Sequence, residues 1–516
     1  MRNEKSFAVA CLVGLSVSGT VCADVTSDLK AQVDALQRQL EAVKIQLDQV
    51  VQAQKQQQDQ AQPSAPGGPF IRQKPGDALT FLTSGGGEVT LYGNLDVSVD
   101  TTTKGLHASY DPGGSPLGKL GWQSDIATNL SYVGARGSHP IQPDLNFVWQ
   151  LEAGIDISAT PGTKNTNSNS SDAVNGALFS RNSFIGLAGR EWGGVMIGKS
   201  ETPYKTSTDR LNPFSGMLGD YRVIIGNTGG DNRVEFGLRA PHALWYESPS
   251  WNGTSFKAMY APGQNRSSDN GNLASAEQDC AGGNIIGSGA LPPSCNDGSF
   301  GNLYSVSAAY AQGPLYLTAA YEMHKDVNRT SDLANLDPRD VGDESAVKVG
   351  GQYTFPTKTT VNALWERTKR KVASDLEFQN ECTRKNATWL ALTQVITEKD
   401  NVSVGWAHAG KTPGDPGQHN TPGGADPDNS ANMFTAAWRH ALDKYTSFYA
   451  DYATTRNHAD SHYDLGAGGH GVTTDCHDAS QLAAFDPTTG GVTGDGPHCF
   501  AGGKLQGFSA GLKWTF

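Results

Sequence analysis

The chain has 516 residues, 61 of them Gly and 25 Pro, and 18% of it is charged while 37% is hydrophobic. Glycine is about 12% of the composition against a typical ~7%, and past the N-terminus no run approaches the ~18 consecutive apolar residues of a transmembrane helix, which excludes a helical membrane protein. The 40 Lys and Arg fall below the 52 Asp and Glu and form no basic face, so no nucleic-acid partner is expected.

Residues 1–23 read as a signal peptide. Arg2 and Lys5 precede an apolar run from Phe7 to Val21, and Val21-Cys22-Ala23 offers a cleavage site before Asp24. Val21 is too bulky for the small residue that a lipid-attachment box places before its cysteine, so Cys22 is not read as lipidated. Removal of the segment leaves 38 basic against 51 acidic residues, a net charge of −13.

Residues 24–58 carry a different signal. Leu29, Val33, Leu36, Leu40, Val43, Leu47 and Val50 are spaced 4, 3, 4, 3, 4, 3 in a background of Gln, Asp, Lys and Ala. That unbroken a/d seam predicts a self-associating coiled-coil stalk, and mixed Leu and Val at both core positions leaves dimer and trimer open. Residues 59–86 read as a Gln/Pro/Gly-rich linker, with Pro63, Pro66 and Pro69 beside Gly67 and Gly68.

From residue 87 to 516 the apolar period becomes 2. Val89, Leu91, Gly93, Leu95, Val97 and Val99 alternate with Thr90, Tyr92, Asn94, Asp96, Ser98 and Asp100. Leu145, Phe147, Trp149, Leu151 and Ala153 form one face, with Asn146, Gln150 and Glu152 on the other. Phe508, Ala510, Leu512, Trp514 and Phe516 repeat the pattern at the end of the chain. Strands this long with aromatics on the apolar face fit a membrane barrel, apolar outside and polar inside, better than a sandwich. Short links (HPIQPD, REWG, SWNG, QGP, FPTK, LDKY) alternate with long Gly/Asn/Asp-rich segments near 105–128, 158–179, 201–238, 263–302, 325–343, 408–430 and 457–503. The fold class is therefore all-β: an antiparallel transmembrane β-barrel of about 16 strands, a size that keeps an aqueous interior, preceded by the helical stalk.

Five cysteines remain after the signal, and all sit in or beside loop-like stretches, as extracytoplasmic disulfides do. Cys280 with Cys295 and Cys476 with Cys499 are the candidate pairs, leaving Cys382 alone; the connectivity stays open. No Cys/His spacing suggests zinc, and no metal or cofactor is expected. Gly507-Phe508-Ser509-Ala510-Gly511 fits G-x-S-x-G, but it lies in an alternating strand and not at a strand-to-helix turn, so no catalytic role is assigned. Gly466 to Gly471 fits G-x-G-x-x-G without the flanking strand and helix, and reads as loop. His458, Asp460 and His462, near His470, His477 and His498, read as solvated loop residues. The chain is not expected to be an enzyme.

TLYGNLDVSVD, SRNSFIGLAGREWGGVMIGKSETPY, LNPFSG, ALWYESPSWNG, WRHALDKYTSFYADYATTRN and the terminal Phe516 occur in an order that resembles the general porin family of Gram-negative outer membranes, in its beta-proteobacterial-like branch. The resemblance covers roughly residues 88–516. It implies a homotrimer in the outer membrane, contact with outer-membrane lipid and lipopolysaccharide, and a terminal aromatic strand read by the barrel-assembly machinery. The coiled coil departs from typical members and resembles the periplasmic stalks of some substrate-preferring trimeric porins, with peptidoglycan as a further candidate partner.

The resemblance also implies that the third long segment, about 201–238, folds into the lumen. It carries Glu201, Asp209, Asp220, Asp231 and Glu235 against Lys205, Arg210, Arg222 and Arg233, while Arg181 in SRNSF matches a wall arginine facing that loop, flanked by Lys199 and Arg239. These seven basic residues outnumber the five acidic ones. Opposed charges across a water-filled passage orient solutes and set ion preference. The expected function is passive diffusion of small hydrophilic solutes and ions with weak anion preference. The alternatives are a channel preferring small organic acids (carboxylates) and a tether from the outer membrane to the cell wall.

Overall fold

Alternating sequence becomes alternating geometry, because successive side chains of a strand point to opposite faces. In a computed structural model of the chain the described residues are 71–73, 79–103, 122–155, 157–158, 181–226, 236–262, 300–328, 341–371, 384–411, 428–459, 461, 463–466, 484–486, 491–493 and 502–516. The signal peptide, the seam from Leu29 to Val50, and Cys280, Cys295, Cys382, Cys476 and Cys499 lie outside them. The chain divides into units Met1–Phe70 and Ile71–Phe516, and the second holds every described residue.

Sixteen antiparallel strands close into a barrel. They are β1 (Glu88–Thr103), β2 (Gln123–Thr128 and Tyr132–Gln142, interrupted at Asn129–Ser131), β3 (Leu145–Gly154), β4 (Ser183–Gly189), β5 (Gly193–Glu201) and β6 (Arg239–Glu247). Next come β7 (Thr254–Pro262), β8 (Asn302–Gln312), β9 (Leu315–Asn328), β10 (Val341–Thr354) and β11 (Thr359–Arg370). The circuit ends with β12 (Arg384–Val395), β13 (Asp400–Ala409), β14 (Ala431–Ala441), β15 (Thr446–Asn457) and β16 (Lys504–Thr515). Each strand pairs with its neighbours in sequence, and β16 closes the circle by pairing with β1, Gly511 opposite Ser98. Closure removes every open edge, the condition for β-structure in a bilayer.

The barrel is apolar outside and polar inside. On β11, Val361 and Trp365 face outward and are exposed, while Asn362, Glu366, Thr368 and Arg370 face inward and are buried. On β1, Leu91 and Val99 are exposed, whereas Asn94, Asp96, Ser98 and Asp100 are buried. Outward Leu, Val, Ile and aromatic side chains recur on strand after strand, as lipid contact requires.

Short turns gather at one end. Between β6 and β7, Asn252 and Gly253 both adopt positive φ (51° and 85°), the conformation that a tight hairpin matching strand twist demands. The structure differs from the sequence reading at three places. Within the span read as linker, Ile71–Gln73 and Thr80–Thr83 form short strands, the second pairing Thr80 with Thr90, because β-formers flank a glycine turn there. The connection 372–383 between β11 and β12 is long yet charge-rich and lacks glycine, so its composition did not mark it. The turn 396–399 joins β12 and β13 with neither Gly nor Pro.

Candidate pore constriction

The segment leaving β5 at Glu201 turns inward and packs on the inner wall. Thr202 starts it: its Oγ1 accepts from the Lys205 N–H at 3.2 Å, capping the single helical turn Pro203–Thr206, with proline at the first position where no N–H is required. Farther on, Asp220 is fully buried and accepts from Asn212 Nδ2 at 2.7 Å, Arg222 N at 3.1 Å and Gly216 N at 3.2 Å. These bonds fix the loop's turns, and Asp220 reaches no water. The Thr202 N–H donates to the Leu238 carbonyl at 3.0 Å, tying the loop's two ends.

Apolar packing then holds the loop to the wall. Leu211, Phe214, Met217, Tyr221 and Ile224 form one buried cluster with Leu364 of β11, Trp389 of β12, Ala407 of β13, Met433 of β14 and Tyr449 of β15. Phe214 and Tyr221 bracket the Trp389 indole, with ring centroids 5.8 and 5.1 Å away. Gly405 makes room for this: a Cβ there would overlap the Trp389 ring and stand 2.8 Å from Phe214. Tyr204 donates to Glu366 Oε2 at 2.6 Å beneath Lys348, whose Nζ lies 4.1 Å from the tyrosine ring. The loop thus lies along β8 to β16, where Leu218 packs with Ala453 and Leu505, and leaves the passage against β1 to β6.

That facing wall carries a charged lattice. Arg181 Nε meets Glu152 Oε1 at 2.6 Å and its guanidinium lies 4.7 Å over the Tyr132 ring. Tyr92 donates to the other oxygen of Glu152 at 3.1 Å, and Arg136 lies 5.1 Å over Tyr92. At the root of the loop, Glu201 binds Lys205 and Arg239 at 2.9 Å each, while Asn182 Oδ1 accepts from Arg239 Nε and from the Glu201 N–H. Lys199 sits opposite Ser183 across β4 and β5. On the loop, Arg222 pairs with Asp209, and Arg210 takes Gln352 Oε1 at 2.8 Å with its guanidinium 5.0 Å over Tyr316. Asp231, Arg233 and Glu235 lie outside the described residues.

Glu152, Glu201 and Asp209 are each bound by a cation, while Arg136 and Arg210 rest on aromatic faces. Desolvation by the surrounding walls pushes the half-exposed Asp209 carboxyl above its ordinary value against the pull of Arg222. Burial would lower Arg222, but Asp220 and Asp209 beside it outweigh this and hold it above its ordinary value. Asp451, Ser509 and Asp100 lie opposite one another across β15, β16 and β1 and form a second inward-facing polar row. Ser509 of the G-x-S-x-G match is therefore mid-strand in β16.

Sequence reasoning singled out Arg181, Arg239 and the loop charges but missed Glu152 as the partner of Arg181, and missed Tyr92, Tyr132, Arg136, Lys348 and Glu366. Their only signal was inward parity on a strand, which many polar residues share.

A family model described as Gram-negative porin matches residues 74–460. An outer membrane porin of Bordetella pertussis is 23% identical over 275 residues, 52% of this chain and 60% of that protein. The major outer membrane protein P.IB of Neisseria gonorrhoeae is 26% identical over 184 residues, 35% of this chain and 45% of that protein. The alignments thus span about half the length of these relatives. Among solved structures, an anion-selective porin from Comamonas acidovorans shares the fold at a TM-score of 0.55 and 20% identity, over 83% of this chain and all of that one.

Proposed function

Because the chain belongs to the Gram-negative porin family, we propose that it is an outer-membrane channel through which small hydrophilic solutes and ions diffuse passively, with a weak preference for anions, and that it assembles as a homotrimer. The observation that carries the preference is the pairing at the level of the third loop: Glu152, Glu201 and Asp209 are each neutralised by a bound cation, and Arg136 and Arg210 face aromatic rings. Fixed charges in a narrow passage flanked by protein act more strongly than screened charges on outer loops, so the net −13 of the chain does not set the field there. Reconstitution in a planar bilayer under asymmetric KCl tests this. An open channel with a zero-current potential on the anion side is expected, and a clear cation preference overturns the assignment.

A second reading is a channel that prefers small organic acids, favoured by the two arginine–tyrosine stacks on the wall, which offer a carboxylate both a charge and an aromatic edge. Liposome swelling separates the two. A general channel sorts sugars, amino acids and carboxylates by size alone, and a selective one admits carboxylates out of proportion to size.

A further inference from the structure

On the short-turn side of the third loop, the inner wall from β3 to β7 holds a recess of about 260 Å³. Its origin lies in the sequence of β4 and β5. The inward positions Gly186, Gly194 and Gly198 carry no side chain, while Ile185, Leu187, Val195 and Ile197 alternate with them and face outward. The helical turn Pro203–Thr206 bounds the recess on the loop side, and Gln150, Phe184 and Trp245 line its middle. Glu247 and Lys257, direct partners across β6 and β7, line the end nearer the short turns.

The chemistry of the recess changes along its length. Phe184 packs edge-on against Trp245, with ring centroids 5.1 Å apart, in an apolar cluster that includes Met196 and Met259. Two residues farther along β6, a step of about 7 Å, stands Glu247. Its Oε2 meets Lys257 Nζ at 3.0 Å, and its Oε1 accepts from Trp245 Nε1 at 3.3 Å, so the indole orients the carboxylate. Glu247 and Lys257 are 41% and 39% exposed, and a solute in the passage therefore reaches both. An ammonium has three donors and a carboxylate about four acceptor sites, which this pair uses only in part. A basic and an acidic site thus stand open side by side, next to an apolar step.

We propose that this recess is a binding subsite for zwitterionic α-amino acids with apolar side chains, occupied in transit; it rests on the channel reading above. The α-ammonium meets Glu247, the α-carboxylate meets Lys257, and the side chain lies over Phe184 and Trp245 toward Pro203. Both charges of an α-amino acid sit on one carbon, so a single molecule can meet two residues that are themselves in contact. A carboxylate or an amine alone would use one member of the pair and gain nothing from the other. The arginine–tyrosine wall differs in kind, because its stacked cations favour any anion, whereas here the two signs balance.

The test uses the full chain in a planar bilayer under KCl with L-leucine added, and reads brief current interruptions as binding events. Wild type should show them, and glycine should give events about tenfold shorter because it lacks the apolar side chain. Isocaproate, which is leucine without its ammonium, and isoamylamine, which is leucine without its carboxylate, should each bind about tenfold more weakly, the loss of one charge-assisted hydrogen bond. Glu247→Gln and Lys257→Gln should each shorten leucine events by about the same factor, and in Glu247→Gln leucine and isocaproate should no longer differ. Equal binding of leucine and isocaproate by wild type, equal binding of leucine and glycine, or unaltered leucine events in both variants each overturns the proposal. Calorimetric titration of the same solutes into the full chain in detergent repeats the comparison without conductance. A chain that conducts KCl but holds leucine no better than isocaproate sinks only the subsite, and one that holds leucine without conducting sinks only the channel.

Discussion

The indole Nε1 of Trp389 donates to the Leu211 carbonyl at 2.9 Å, joining the largest fully buried side chain of the wall to the loop it supports. The bond satisfies a polar atom inside an otherwise apolar cluster, so the tryptophan contributes both packing and orientation. Trp389→Phe should keep most of the packing and lose about 1 kcal/mol with the hydrogen bond. Trp389→Ala should cost about 3–5 kcal/mol and release the loop. Single-channel recording then gives a larger, noisier conductance for the alanine variant. Wild-type conductance and noise in that variant would show that the loop is held elsewhere.

Gly405→Ala places a methyl group where Trp389 and Phe214 already meet. Neither ring can retreat without displacing Tyr221 or the wall, so overpacking should destabilise by about 1–3 kcal/mol. A lowered thermal midpoint with altered conductance is expected. An unchanged midpoint would mean that the cluster is looser than its geometry implies.

Arg181→Ser removes the cation bound to Glu152 and leaves that carboxylate facing the passage. The zero-current potential should move toward cations by more than for Arg210→Ser, because Arg210 neutralises no carboxylate. Equal shifts in the two variants would place the selective section away from Glu152.

Acidification should raise anion preference. Asp209 is pushed above its ordinary pKa by desolvation, so its charge is lost at milder acidity than that of a free aspartate, while Arg222 stays charged. A carboxyl raised on folding contributes stability that is complete below its unfolded pKa and fades as pH rises through its folded pKa. Asp209 itself should therefore hold the loop at least as firmly in acid as at neutral pH, whereas protonating Glu201 would break its pairs with Lys205 and Arg239 at the root of the loop. Asp209→Asn should show the acidic selectivity at every pH. A wild-type channel that turns toward cations in acid would contradict this.

For the stalk, the seam from Leu29 to Val50 would rise about 33 Å as helix, at ~1.5 Å per residue. Three copies converging on one axis satisfy cyclic symmetry. Leu36→Asp with Leu40→Asp should lower the dissociation temperature of the trimer while the barrel still forms. An unaltered trimer in this variant would mean that the stalk does not hold the assembly together.

The barrel was legible because its signal is local. In LNFVWQLEAG the apolar and polar sets alternate with Val148 as the exception, and β3 puts them on opposite faces as the alternation requires. The turn between β6 and β7 was legible from Asn252-Gly253 alone. The partnership of Arg181 with Glu152 was not, because it depends on the register of β3 against β4 and on a loop between them whose length carries no geometric information. The packing of Phe214 against Trp389, 175 positions apart in the chain, is of the same kind. LNPFSG marks a turn that enters the lumen, and nothing in those letters names the indole it meets.

A membrane barrel has no dry centre, yet this one has built one from its own third loop, where Leu211, Phe214, Met217 and Ile224 are walled off against five strands. Swinging that loop aside would wet the whole cluster and strip the Trp389, Tyr204 and Thr435 hydrogen bonds at once. The barrier to such a movement is comparable to local unfolding and far above thermal agitation. In the proposed channel the described part of the loop therefore acts as a fixed orifice and not as a valve, so throughput there follows the concentration gradient and the number of copies in the membrane.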